Sequence, residues 1–204
     1  MTTIESVEPT AQRGRPRSEK ADRDILAAAL DVLAEAGAAG FSVEAVAQRA
    51  GVSKTTIYRR FPGAHDLLAE ALSTLNDDLP AVPQCATARD SLIALLNGMR
   101  TRAVDTRADR CLPQVMSQAQ QNPDLFEIYH DRVVEARRDR IRSILRRGIE
   151  AGELRDDVDI ELLASMFTAP MIWMTMATPP SRRRVDDQTS QQLVDALLQG
   201  VAAH

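Results

Sequence analysis

Lys54, Thr55, Thr56, Tyr58, Arg59 and Arg60 lie in one short stretch, and no carboxylate interrupts the chain from Arg49 to Ala64. Cations, hydroxyls and a phenol gathered in this way suit a polyanionic partner. Arginine and lysine reach guanine edges or phosphates, threonine bonds a base or touches a thymine methyl, and tyrosine bonds a phosphate oxygen. A second basic cluster, Arg13, Arg15 and Arg17 in the stretch RGRPR, stands near the amino terminus. As a charge run it reads first as a solvated tail. Pro16 disfavours helix and suits an extended arm, and arginine-rich arms can enter a minor groove.

Both segments belong to an acidic protein of 204 residues and net charge −4. Residues 1–62 carry nine Lys/Arg against eight Asp/Glu, net +1, which leaves −5 for the rest of the chain. Residues 11–23 and 49–62 hold all nine of those cations, with only Glu19 and Asp22 as acids among them. Charge so localised is an electrostatic footprint for a polyanion rather than a general aid to solubility.

Other chemistries find little support. The histidines are His65, His130 and His204, and the chain has no nucleophile elbow, phosphate-binding glycine loop or HExxH. His130-Asp131 beside Tyr129 is a poor acid–base pair, because neighbours on a helix point apart. Cys85 and Cys111 form no CxxC or Cys/His pattern, so neither a metal site, a cofactor nor a disulfide scaffold is expected. MTTIESVEPT lacks the apolar core of a secretory signal, and a reducing cytoplasm is the expected setting. Leu162–Ser181 holds no charge, but Pro170, Pro179 and Pro180 interrupt or end it. A helix buried by protein is expected there, not a membrane span.

Helices must position these groups. Aromatic content is only 3%, and Ala, Leu and Arg dominate where β-branched runs are scarce. Apolar residues at Ile25/Leu26, Ala29/Leu30, Leu33 and Ala36 keep helical spacing until Gly37 and Gly40. A second helix runs from about Val43 to Ala50 with Ser42 as N-cap, a third from Ser53 to near Phe61, and a fourth from about Ala64 to Asn76. The prolines of LPAVPQC (79–85) mark a boundary. Helices follow over about 89–104 and 112–121, then a long one opened by Asn122-Pro123-Asp124 and ended by Gly152, then about 159–177 and 187–202. The chain reads as all-α with roughly nine helices.

Within SVEAVAQRAGVSKTTIYRRF (42–61), Ala47 is small where two helices approach and Gly51 supplies a turn. Val46, Ala50, Val52 and Ile57 form a shared core, and Ser53 caps the second helix. These positions agree with a helix-turn-helix whose second helix enters the major groove. With Ile57 and Phe61 inward, Lys54, Thr55, Thr56, Tyr58 and Arg59 are left on outer faces.

FSVEAVAQRAGVSKTTIYRRFPGAHDLLAEAL (41–72) resembles the DNA-binding domain of TetR-type, or tetracycline-repressor-like, bacterial transcriptional regulators. The resemblance is close over Ser18–Leu75. It implies a flexible basic arm (1–17), a helix-turn-helix domain (18–63) and a helical ligand-binding and dimerisation domain (64–204). It also implies a homodimer paired through helices 159–177 and 187–202. Carried across residue by residue, it implies that Ser42, Thr55, Thr56, Tyr58 and Arg59 contact DNA, with Ser53 and Lys54 beside them. Arg60 stands where the family usually has histidine, and a phosphate contact is expected to survive there. Ala64 replaces a customary lysine, which removes one contact.

The resemblance further implies a small-molecule effector. Six of the seven methionines lie beyond residue 98, and flexible thioethers suit adaptable pockets. Leu96, Met99, Arg100, Met116, Phe126, Tyr129, Met166 and Trp173 are the candidate lining, with Arg100 or Tyr129 as polar anchor. Core packing is the competing reading for each. The six arginines of RRDRIRSILRR (137–147), with Glu135 and Asp139 nearby, read as a solvated helix face rather than a second nucleic-acid surface. The expected function is a homodimeric repressor released from a palindromic operator by a hydrophobic effector, with no membrane partner. An activator, or an architectural DNA binder without effector, is the alternative.

Overall fold

The computed structural model describes residues 15–77, 79, 87–103, 107–177 and 187–199. Arg13, Cys85, Arg182–Arg184 and residues 200–202, where the last helix was expected to end, lie outside them, as do the side chains of Arg15 and Arg17. The regular elements of the described residues are all helical. α1 (Arg15–Gly40) leads to α2 (Val43–Ala50), α3 (Lys54–Tyr58) and α4 (Ala64–Ser73), which closes in a 3-10 turn, Thr74–Asn76. α5 (Ala88–Ala103) and α6 (Arg107–Gln118) follow. α7 (Pro123–Tyr129), a π turn (His130–Glu135) and α8 (Ala136–Glu150) form one rod, and α9 (Ile160–Ala177) and α10 (Asp187–Gln199) complete the fold. With that rod counted once, the described residues hold nine helices.

Some boundaries differ from those the periodicity predicts, each for a local reason. α1 begins at Arg15 with Pro16 in its first turn, where a missing N–H has no helical partner to lose. Arg15 and Arg17 therefore belong to a helix and not to an extended arm. α1 breaks at Gly37 (φ 63°, ψ −167°). α3 stops at Tyr58, short of Phe61. Pro123 and Asp124 open α7 as expected, but the Asn122 side chain makes no capping bond. α6 starts at Arg107, ahead of its apolar residues, and keeps Pro113 within it.

Two apolar cores hold the helices together. The first joins Ile25, Leu33, Val46 and Ile57 to Leu67 and Leu72 of α4, Leu75 of the 3-10 turn, Val115 of α6, Tyr129 of α7 and Val133 of the π turn. The second joins Leu92, Leu95 and Leu96 of α5 to Ile141, Ile144 and Leu145 of α8, Phe167 of α9 and Val194 of α10. Each fully buried leucine or isoleucine contributes about 1.5–3 kcal/mol of transfer free energy. Helices α1, α2 and α3 thus share their core with α4, α6 and α7, beyond the boundary expected after Gly63.

The arginine-rich run is not a solvated face. Arg138 Nη1 donates to Glu135 Oε1 at 2.5 Å, and its Nη2 to Ser165 Oγ at 2.9 Å. Arg142 joins Glu135 at 3.0 Å, Asp139 at 2.7 Å and Glu161 at 2.7 Å. These arginines fasten α8 to α9. No helix among the described residues is long and apolar enough to cross a membrane.

Candidate nucleic-acid interface

The turn between α2 and α3 is built by three backbone requirements. Ser42 Oγ accepts the Ala45 N–H at 3.1 Å, satisfying one of the N–H groups that a helix start leaves unpaired. At the other end of α2, Gly51 is left-handed (φ 66°, ψ 31°), and the Val52 N–H reaches back to the Ala47 carbonyl at 3.0 Å. That closure is of Schellman type and favours glycine by torsion. A Cβ at Gly51 would meet nothing within 4 Å, so sterics play no part. Ser53 then caps α3, accepting the Thr56 N–H at 3.2 Å. Its hydroxyl also meets Thr56 Oγ1 at 2.9 Å.

Ile57 is fully buried and sets the rotation of α3. Thr55, Tyr58 and Arg59 consequently face outward, with Tyr58 52% exposed. Arg59 forms no ion pair among the described residues. Ser53 and Lys54 are also exposed, and Thr56 is half-buried. These are the groups this helix presents for a groove.

The cations around them are balanced from elsewhere in the fold. Lys54 Nζ donates to Glu44 Oε1 at 2.5 Å. That bond holds the Glu44 carboxyl below its ordinary value and raises Lys54. Arg49 is paired with Glu35 of α1. Arg60, expected on a phosphate, turns inward: its Nε donates to Asp22 of α1, and its Nη1 to the Thr56 carbonyl at 3.1 Å. Arg60 therefore braces α3 against α1. The acid-free sequence window from Arg49 to Ala64 does not reveal these acids, because Asp22, Glu35 and Glu44 arrive from neighbouring helices.

Sequence reasoning also missed Gln118. Its Oε1 accepts the Ala38 N–H at 3.0 Å, immediately after the break in α1, while Gln114 holds its amide at 3.1 Å. Arg110 pairs with Asp31 at 3.0 Å, and Cys111 Sγ approaches the Leu30 carbonyl at 3.5 Å. α6 is thus splinted along α1, the first helix of the candidate reading head formed by α1, α2 and α3.

The candidate effector residues do not share one lining. Tyr129 is buried in the first core, where burial pushes its phenol up, with Met116 and Phe126 half-buried against the same core. Leu96 and Met99 belong to the second core, and Arg100 is buried beside Met99 on α5. Met166 and Trp173 face outward, at 40% and 71% exposure. His65 is exposed on α4, and His130 lies near Asp131 at 3.3 Å and Glu135 at 3.6 Å.

The chain matches two family profiles. Residues 25–71 match bacterial regulatory proteins of the tetR family, and residues 82–197 match the tetracyclin repressor-like C-terminal domain. An uncharacterised HTH-type transcriptional regulator of Bacillus subtilis, YdeS, is 31% identical over 95% of this chain and 96% of its own. A DNA-binding transcriptional repressor TetR of Mycobacteroides abscessus is 29% identical over 89% of this chain and 94% of its own. In fold, the chain is similar to the crystal structure of the regulator FadR from Bacillus subtilis in complex with stearoyl-CoA. The TM-score is 0.66 at 21% identity, over 87% of this chain and 98% of that one.

Proposed function

Since this chain belongs to the TetR family of bacterial regulatory proteins, which are DNA-binding transcriptional regulators and not enzymes, we propose that it acts in the cytoplasm as a homodimeric repressor. The observation that carries the reading is the outward set Thr55, Tyr58 and Arg59 on a helix whose rotation Ile57 fixes. Ser42, Ser53, Lys54 and Thr56 flank that set, and Arg13, Arg15 and Arg17 add charge before or within the start of α1. Two such helices in a dimer read a palindromic operator in successive major grooves, about 34–36 Å apart.

Supporting the dimer, Leu162, Met166, Ala169, Trp173 and Met176 recur at helical spacing along one exposed face of α9. A row of large apolar side chains left in water marks a partner surface, and a second copy of the same face closes it. Gln188, Gln191 and Gln192 give the neighbouring exposed face of α10 a polar character suited to the rim. A small hydrophobic effector released into the methionine-rich helical region would shift the balance between DNA-reading and silent states through its different affinity for each.

A mobility-shift assay on the DNA upstream of its own gene, at several salt concentrations and with a panel of hydrophobic ligands, tests this reading. Steeply salt-dependent binding reversed by at least one ligand is expected. Trp173→Glu should yield monomers in sedimentation and lose the shift. Salt-insensitive binding, or a monomeric wild type that still shifts DNA, would overturn the proposal.

A further inference from the structure

Asn76 is a polar residue buried between the two apolar cores. Leu75 belongs to the first and Leu79 to the second; on the facing rod, Val133 belongs to the first and Ile141 to the second. Asn76 and Arg137 occupy the gap on both sides. Asn76 is only 7% exposed, and its side chain is used as donor and as acceptor. Nδ2 donates to the Arg132 carbonyl at 2.9 Å and lies 3.4 Å from that of Val133, while Oδ1 accepts Arg137 Nε at 2.9 Å. Its backbone carbonyl takes Arg140 Nη2 at 3.3 Å.

The carbonyls that Asn76 meets are presented by the π turn. Where the π turn meets α8, the Ala136 N–H bonds the Val133 carbonyl, three residues back, rather than that of Arg132, four back. π turns inside helices recur at functional positions. A buried amide that is matched at both ends adds little net stability but permits one register only, since any slide leaves a donor and an acceptor unpaired. Asn76 closes the segment that leaves the reading head through α4, so the register it selects is that of this segment against the rod that runs from the first core into the second.

We propose that Asn76, held by Arg137 and the π turn, is a positioning residue that sets the reading helices relative to the rest of the molecule. The inference rests on the DNA-binding reading above. The test compares wild type, Asn76→Leu/Arg137→Met and Arg137→Gln on the DNA upstream of the gene, with thermal unfolding and hydrogen exchange on the same samples. The double variant replaces the polar node by apolar bulk. It leaves the Arg132 carbonyl without its side-chain donor, so the melting temperature should fall by about 2–4 °C, while the DNA affinity of the folded protein falls about tenfold. In wild type, DNA should slow exchange in the π turn as well as in α2 and α3; in the double variant only α2 and α3 should respond. Arg137→Gln, which leaves the Asn76–carbonyl bonds in place, gives the same pattern to a smaller degree and covers a double variant that does not fold. Unchanged affinity in a folded variant, or no response of the wild-type π turn, overturns the proposal. A wild type that binds no DNA fails the functional reading instead.

Discussion

The side-chain oxygen of Gln118 accepts the backbone N–H of Ala38 at 3.0 Å, so the last residue of α6 completes the broken end of α1. A Cβ at Gly37 would lie 2.1 Å from Gln118 Nε2, which shows how closely the two segments approach. The turn that follows carries Ser42, the cap of α2, so a group contributed from far along the chain steadies the entrance to the reading head.

Replacing Gln118 by Met removes the acceptor and leaves a partly buried N–H unpaired. A loss of about 1–2 kcal/mol in unfolding free energy is expected, read from urea denaturation. Gln118→Glu keeps an acceptor oxygen and should retain most of the stability. Equal losses in both variants would remove the hydrogen bond from the explanation.

Arg59 and Arg60 are adjacent but should behave oppositely. Arg59→Ala takes away an exposed cation and is expected to lower DNA affinity and reduce the salt slope by about one, with little change in melting temperature. Arg60→Ala strands Asp22 and releases the end of α3, with an expected loss of about 1–3 kcal/mol in stability. Parallel thermal melts and salt titrations of the two variants decide the matter.

Gly51→Ala should destabilise the protein by about 1 kcal/mol, because alanine must adopt a left-handed torsion there. No clash accompanies it, so the DNA-bound geometry of the surviving folded fraction is preserved. A neutral result in chemical denaturation would contradict the torsional account.

Acid should weaken the arginine cluster on the long rod whose other members reach α9. Burial alone would raise the Glu135 carboxyl, but hydrogen bonds from Arg142 and Arg138 outweigh it and hold the group below its ordinary value. With a folded value below the unfolded one, its stabilisation is present above about pH 4.3 and is lost as pH falls through the depressed value. Glu135→Gln should therefore show a lower plateau at neutral pH and a shallower decline below about pH 4, followed by circular dichroism.

The basic amino-terminal residues give a further check. Changing Arg13, Arg15 and Arg17 together to Ala should weaken operator binding and flatten its salt dependence at unchanged melting temperature. Undiminished affinity would return the stretch to the role of a solvated tail.

Local chemistry was readable from the sequence; pairing across helices was not. Ser42, Gly51 and Ser53 act within a few residues of themselves, so spacing alone placed α2 and the start of α3 correctly. The long rod was recovered from one apolar stripe running from Leu125 to Ile149, although its π turn leaves no mark in that stripe. Arg60 was misjudged because its partner, Asp22, lies in α1 and no spacing rule joins them. Glu135 and Asp139 stand near the arginine run in the sequence itself, but Glu161, which also binds it, comes from α9. Met166 and Trp173 carried the right hydrophobicity for an interior, but the rotation of α9 turns them outward.

The first core also bears on how such regulators can be recombined. Leu67, Leu72, Val115 and Tyr129 pack in the same apolar cluster as Ile57 and Val46. A hybrid that exchanged only residues 1–63 would set a foreign head on leucines shaped for this one. Grafts that keep recognition intact must instead carry the facing surfaces of α4, α6 and α7, so the interchangeable unit in this chain is a packed volume and not a length of sequence.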